Sequence, residues 1–135
     1  MDVTILAAII GVIAGAIGYW ITTFWMQPIL RYKNIKYKIL TNFIYYAQVI
    51  NTDGLNSDMK NLYRERILTN RQTSSELTAA IEQLPCWYMK YLRIKGHYPK
   101  NAAKNLIGFS NTKEYDQSER LEALIRKQLG LPSET

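Results

Sequence analysis

"AAIIGVIAGAIGYWITTFWMQP", residues 7–28, decides the fold of this chain, because it holds no charged side chain in a protein that is otherwise polar and basic. The uncharged run extends over residues 3–30. A helix needs roughly 20 apolar residues to cross about 30 Å of hydrocarbon, so this run is long enough to span a membrane. We therefore predict a transmembrane helix over residues 1–30 and a basic α-helical domain over residues 31–135.

Two other structures for this run stay open. A cleaved signal peptide would begin with basic residues, whereas this chain begins Met1-Asp2. Its apolar block would also end at small residues, and here Trp20, Phe24 and Trp25 follow instead. A buried helix of a soluble protein would need apolar partners on all sides, and the rest of the chain is too short to supply them. A membrane span is the favoured interpretation.

The charges on either side of the run predict its orientation. Only the acid Asp2 precedes it, and four cations follow it within eight residues: Arg31, Lys33, Lys36 and Lys38. Loops rich in Lys and Arg stay on the cytoplasmic side, so we expect the N-terminus outside and the basic domain inside. Four aromatic residues then lie in the inner headgroup layer: Tyr19, Trp20, Phe24 and Trp25. Pro28 marks the exit from the membrane or a kink.

The next segment continues as an amphipathic helix over residues 29–50. Its apolar residues recur every three or four positions: Tyr32, Ile35, Ile39, Phe43, Tyr46 and Ile50. The turn-forming sequence of residues 51–57 ends this helix and predicts a helical hairpin. A second helix follows over residues 58–84, and "TNRQTSS" at residues 69–75 interrupts its apolar rhythm. Because Thr73 and Glu76 have capping-box spacing, two shorter helices are possible here.

Shorter helical segments complete the chain. Pro85 separates the second helix from a helix over residues 86–96, which Gly96 ends. A helix over residues 100–107 and a loop over residues 108–116 come next. The last helix begins with a capping-box spacing at Asp116 and Glu119 and is closed by Gly130. No alternating strand pattern or internal repeat occurs, so the fold class is all-α.

Small residues form a stripe along the apolar helix: Ala7, Gly11, Gly15, Gly18 and Thr22. In lipid such a stripe lets helix backbones approach and associate by packing. Since the remaining domain is too small for a large core, a homo-oligomer is favoured over a monomeric anchor, which stays open. An open pore through such an assembly would be narrow and largely apolar, and it would close by dewetting.

Catalysis needs a base, a nucleophile or metal ligands that converge in one pocket. His97 is the only histidine and Cys86 the only cysteine, and the predicted helix end at Gly96 separates them. That single cysteine excludes an internal disulfide and fits a reducing compartment. The acids near the last helix fit a helix N-terminus better than a metal site. We therefore predict that the protein is not an enzyme and needs no metal or cofactor.

Residues 83–113 contain six cations and no acid. Aromatic residues alternate with these cations, a pattern typical of proteins that stack bases and contact phosphates. The candidate ligand residues are Trp87, Lys90, Tyr91, Arg93, Lys95, His97, Tyr98, Lys100 and Lys104. If His97 faces the ligand, its protonation strengthens binding below about pH 6.5.

Two simpler interpretations of the same stretch stay open. The aromatic residues can belong to the core, since Trp87 and Tyr91 are one helical turn apart, while the cations face anionic lipid. In the second interpretation, the cations bind an acidic protein partner.

The order of features along the chain supplies a resemblance to known proteins. These features are one N-terminal span, "QPILRYK" at its exit, "NFIYYAQVI" at residues 42–50 and "AAKNLIGFSN" at residues 102–111.

This arrangement resembles the small single-span membrane effectors of bacterial anti-phage defence, and among them the Hailong type. The resemblance implies an oligomeric protein of the bacterial inner membrane that depolarises the cell. It also implies control by a nucleotide or oligonucleotide from a partner nucleotidyltransferase. The alternative function is a single-span adaptor or scaffold that recruits a partner to the inner leaflet.

Overall fold

The computed structural model describes residues 2–47, 57–112 and 115–133, and every regular element in them is helical. The chain begins with α1 (Val3–Ile21), passes through a π-helical segment (Thr22–Met26) and continues as α2 (Gln27–Tyr45). Asp2 caps α1, because its side chain accepts a hydrogen bond from the Thr4 backbone N–H at 3.3 Å. The three segments form one helix of 43 residues.

Pro28 neither ends nor interrupts this helix. It lies in the first turn of α2, immediately after the π-helical segment. There the backbone N–H of Gln27 donates to the carbonyl of Thr22, five residues earlier. Proline has no N–H and its ring crowds the preceding turn, and a wider π turn is one way in which a helix accommodates that change. The predicted continuation of the span as a helix beyond Pro28 is confirmed, since the backbone stays helical to Tyr45, and the exit from the membrane at Pro28 stays a prediction.

The first half of this long helix makes no contribution to the core. No residue of α1 is buried, and α1 is long and apolar enough to cross a membrane. The second half is amphipathic, as its sequence predicts, and it buries one face: Ile29, Tyr32, Ile35, Ile39 and Phe43. Tyr46 is also buried, whereas Ile50 and the turn over residues 51–56 lie outside the described residues.

Four further helices pack with α2. These are α3 (Ser57–Glu82), α4 (Cys86–Ile94), α5 (Pro99–Asn111) and α6 (Tyr115–Leu129). The long helix α3 packs against α2 and α5, and α5 packs against α6. Their shared core is apolar and includes Leu77, Ile81, Leu106, Ile125 and Leu129. The prediction of an all-α fold with a long apolar N-terminal helix is confirmed.

The predicted break in the second helix is wrong, because α3 runs without interruption through residues 69–75. Thr73 and Ser74 are buried there, and both hydroxyl groups have backbone partners. Thr73 donates to the Thr69 carbonyl at 2.6 Å, and Ser74 donates to the Ala103 carbonyl of α5 at 2.6 Å. Ser74 therefore faces α5, whereas Thr73 faces α2 and accepts a hydrogen bond from Asn42 at 3.4 Å.

Helix α5 is longer than predicted, since it continues past Ile107 to Asn111 and takes in part of the expected loop. Buried Phe109 holds this extra turn, and its ring packs on Phe43 with centroids 5.3 Å apart. The last helix begins at Tyr115, so Asp116 lies in its first turn and is not its cap. The glycine stops are confirmed, because Gly96 and Gly130 have φ angles of 80° and 70°.

Candidate ligand-binding pocket

Helix α4 lies beside the start of α2 and places its aromatic residues against it. Pro85 precedes α4 with extended backbone, so α4 begins a new direction after α3. The ring of Trp87 packs edge-on against Trp25, with centroids 5.8 Å apart. One residue later, Tyr88 packs against Tyr32 at 6.2 Å. These contacts progress along both helices in chain order, so α4 follows α2 away from the apolar helix.

Between the two helices lies a pocket of about 430 Å³. Its walls are Lys33, Lys36, Tyr37, Trp87, Tyr88, Tyr91, Leu92, Lys95 and His97. We call this the α2–α4 pocket. It combines two groups that the sequence offered separately, namely two of the membrane-proximal cations and four of the nine candidate ligand residues. No carboxylate is among its walls.

The pocket is strongly positive, and its lysine charges change the pKa values of neighbouring side chains. Burial and the neighbouring charge of Lys33 lower the pKa of Lys36. Burial, Lys36 and Lys95 lower the pKa of His97 below its ordinary value of 6.5. Burial is the larger cause of both shifts, and the nearby like charges add to it. An anion that entered the pocket would relieve this repulsion.

The aromatic walls of the pocket are available to a ligand. Trp87 and Tyr91 are 49% and 44% exposed, so the interpretation that places them in the core is wrong. The ammonium group of Lys36 lies 5.1 Å from the Tyr37 ring centroid, and that of Lys95 lies 5.0 Å from the Tyr91 centroid. A hydrogen bond and the charge of Tyr91 raise the pKa of Lys95. Lysine ammonium groups thus lie beside flat aromatic surfaces, the combination that binds a phosphate with an attached ring.

The other candidate ligand residues lie elsewhere. Lys90 and Arg93 are exposed on α4, Tyr98 precedes α5, and Lys100 and Lys104 are exposed on α5. None of these five lines the pocket.

Of the four membrane-proximal cations, two lie beside α3 and its end, and two line the pocket beside α4. Arg31 donates a hydrogen bond to Gln83, the residue after α3, and Lys38 forms an ion pair with Glu76 of α3 at 3.1 Å. Only Lys33 and Lys36 face α4.

Sequence reasoning missed Tyr37 as a wall of this pocket. The signal was present as helical spacing, because Lys33 and Tyr37 are four residues apart on α2. Trp87, Tyr91 and Lys95 repeat the same spacing on α4, so each helix presents one aromatic and basic face. The spacing does not predict that the two faces contact each other.

The small-residue stripe of the apolar helix lies on the surface. In the part of the chain that the structure describes, no atom of another segment lies within 4 Å of the position that a side chain would occupy at Gly11, Gly15 or Gly18. Ala7 and Thr22 are also exposed. This face of the helix is therefore free of intrachain contacts, and its role in association remains a prediction.

Among the described residues, no group of three or more His, Cys, Asp or Glu side chains is placed to hold a metal ion. Comparison of the chain with models of protein families, with curated proteins and with solved structures finds no significant match. The fold and the pocket thus define a class only: an all-helical protein with one exposed apolar helix of membrane-spanning length and a basic, aromatic pocket beside the end of that helix.

Proposed function

We propose that this protein is a non-enzymatic, homo-oligomeric effector of the bacterial inner membrane that acts in anti-phage defence. A nucleotide or oligonucleotide binds its cytoplasmic domain, and this binding controls a pore or channel formed by the apolar helices. The observation that carries the proposal is the position of the α2–α4 pocket, whose Trp87 wall touches Trp25 at the end of the apolar helix.

The first support is the uncovered apolar helix. Large apolar side chains are exposed along all of α1, including Val3, Val12 and Ile17 at 53% or more. Soluble proteins rarely leave so large an apolar surface in water. A bilayer covers it fully, and copies of the helix that meet along the small-residue stripe cover part of it. The cations that follow the helix favour a pocket on the cytoplasmic side, because loops rich in Lys and Arg stay there.

The second support is the chemistry of the pocket. Lys36 and Lys95 present donors for phosphate oxygens, while Trp87 and Tyr91 present surfaces on which a base stacks. A pocket of about 430 Å³ suits one nucleotide unit of a ligand. A longer oligonucleotide would continue along the exposed cations of α4, Lys90 and Arg93.

The third support is the connection between the pocket and the span. A ligand held between α2 and α4 fixes the distance between these helices, and that distance sets the position of Trp87 against Trp25. Trp25 also packs on Trp20, with centroids 5.3 Å apart. A change in the pocket therefore reaches the apolar helix through a short series of ring contacts, which biases how the span packs with its copies.

Binding of short single-stranded DNA to the full-length protein in a neutral detergent tests the ligand. We expect micromolar or tighter binding by fluorescence anisotropy, weaker at high salt because phosphate contacts are screened. Replacing both Lys36 and Lys95 with Glu should weaken binding by at least about tenfold, given the worth of charge-assisted hydrogen bonds. The matched control replaces Lys60 and Arg64, exposed on α3, with Glu and should bind normally. No binding at low salt, or equal losses in both variants, would overturn the ligand assignment.

Exchange of the span separates the effector from the scaffold. Residues 3–21 are replaced by an unrelated transmembrane helix of equal length, and membrane potential is followed with a voltage-sensitive dye during expression. The effector proposal expects depolarisation by the natural chain and none by the exchanged one. A scaffold needs only an anchor, so preserved function after the exchange would favour it. A nucleotidyltransferase gene beside this one would support the proposed source of the ligand.

A further inference from the structure

The α2–α4 pocket begins at the end of the apolar helix, where its Trp87 wall packs on Trp25. Lys33 and Lys36 follow the last residue of the uncharged run by about 4.5 and 9 Å along the helix, at roughly 1.5 Å per residue. The headgroup layers occupy the outer part of a bilayer that is about 40–45 Å thick in total. Long lysine side chains at this position reach the headgroup layer easily. The pocket is therefore within reach of lipid as well as of solutes.

The two ends of the pocket differ in polarity, and the difference has a direction. Its membrane-side end is aromatic, where Trp87 meets Trp25. Its far end is cationic, where Lys36, Lys95 and His97 are close enough to affect one another's protonation. A phospholipid of the inner leaflet has the same polarity, with its acyl chains towards the bilayer centre and its phosphate away from it.

We propose that the α2–α4 pocket binds the headgroup phosphate of an anionic phospholipid of the inner leaflet. The glycerol backbone and the first acyl carbons lie against Trp87, and the phosphate lies among Lys33, Lys36 and Lys95. Lipid and soluble ligand share the same chemistry, a phosphate ester beside an apolar group, so they compete for one pocket. This competition rests on the proposed function, whereas lipid binding by itself does not.

The lack of an internal counter-ion makes a lipid ligand effective. Described acids elsewhere in the domain neutralise other cations, as Glu76 does for Lys38 at 3.1 Å. The pocket has no such partner among its walls, and burial together with neighbouring lysine charges lowers the pKa of Lys36 and of His97. An inner leaflet that contains anionic lipid supplies the missing charge, and a zwitterionic leaflet does not.

The test uses the full-length protein in neutral detergent and native mass spectrometry with equimolar phosphatidylglycerol and phosphatidylcholine. We expect at least a tenfold preference for phosphatidylglycerol. The preference should fall to below threefold when Lys36 and Lys95 are both replaced by Gln, and it should persist when Lys60 and Arg64 are replaced by Gln. Trp87→Ala, which leaves every cation in place, should also weaken retention of phosphatidylglycerol. Circular dichroism on each variant checks that the helices are intact.

A second arm identifies the source of the phosphate. Inorganic phosphate and sn-glycerol 3-phosphate are titrated against the bound phosphatidylglycerol, and we expect neither to displace it at millimolar concentration. Displacement by either one would show a free-phosphate site and overturn the lipid proposal, as would equal retention of the two lipids. Short single-stranded DNA should displace the lipid. If the lipid binds selectively and DNA does not displace it, the lipid site stands and the shared-pocket part of the proposed function fails.

Discussion

Trp25, in the π-helical segment that ends the exposed apolar helix, meets Trp87 in the first turn of α4 edge to face, with ring centroids 5.8 Å apart. This contact joins the half of the long helix that has no buried residue to the packed helices below it. Trp87 is also a wall of the α2–α4 pocket. One side chain therefore belongs both to the candidate site and to the connection with the span.

A double-mutant cycle on Trp25 and Trp87 should measure this contact. Edge-to-face aromatic pairs are worth about 0.5 to 1.5 kcal/mol beyond the burial of their surface, so we expect a coupling energy in that range. The measurement is equilibrium unfolding in one fixed detergent. Tyr98→Ala serves as the control, because Tyr98 is an exposed aromatic residue outside the pocket, and its coupling to Trp25→Ala should be near zero. A coupling energy near zero between Trp25 and Trp87 would contradict the proposed connection.

The stability of the domain should fall as the pH is lowered from about 7 towards 5. The pKa of His97 in the folded protein lies below its ordinary value of 6.5, because of burial and the charges of Lys36 and Lys95. The unfolded chain therefore takes up the proton first, and the stabilisation present above pH 6.5 is lost as the pH falls through that range. Thermal unfolding across this range should show the loss.

His97→Gln should flatten that pH dependence. A bound phosphate ligand should also flatten it, because a nearby anion favours the protonated imidazole. A wild-type protein that becomes more stable on acidification over the same range would contradict the assigned direction.

Leucine at the small-residue stripe should disrupt association of the span. Gly15→Leu fills a face on which no other segment lies within 4 Å, so it leaves the fold of the monomer intact and blocks only close approach of a second helix. We expect the association constant in lipid to drop by on the order of tenfold or more. Cross-linking in nanodiscs measures the change. The double variant of Gly11 and Gly15 should also lose depolarisation.

The matched control for this prediction is Ala16→Leu. At about 100° per residue, Ala16 lies on the side of α1 away from the stripe. It adds a similar side chain to the same helix one residue later, and it should leave association unchanged. If both substitutions weaken association equally, the stripe is not the contact surface.

Alanine at Gly130 should cost more stability than alanine at Gly96. Both glycines have positive φ angles, of 70° and 80°, and a residue with a Cβ pays about 1 to 2 kcal/mol in that conformation. A Cβ at Gly96 would point into open space, whereas a Cβ at Gly130 would overlap the His97 ring. The difference in stability between the two variants, measured by thermal unfolding, gives the cost of this overlap. Equal losses would mean that His97 does not pack on the end of α6.

Helical periodicity predicted the helices that bury only one face. The buried face of α2 is read directly from its spacing, and the uncharged run gave the exposed helix α1. Periodicity predicted the wrong structure where polar residues are buried. Asn70, Thr73 and Ser74 look like a break in α3, yet they lie between α3 and its neighbours. Arg66 is 1% exposed, and its guanidinium lies 4.3 Å from the Phe109 ring centroid.

The candidate site was predicted only in part, for a related reason. A basic and aromatic stretch over residues 83–113 was evident from the sequence, and the structure places Trp87, Tyr91, Lys95 and His97 of that stretch in a pocket. The remaining candidate residues are separated from it because α4 is short and α5 starts in a new direction after Gly96. Spacing along one helix cannot tell which of its faces will meet another helix.

The sequence by itself determined the all-α class, the long apolar helix and the amphipathic continuation, because each depends on the order of residues along one segment. Only the tertiary structure decided that Lys33 and Lys36 of α2 share a pocket with α4, while Arg31 and Lys38 of the same helix contact α3. The physical reason is that helix packing is fixed by the fit of two surfaces, each drawn from distant parts of the chain.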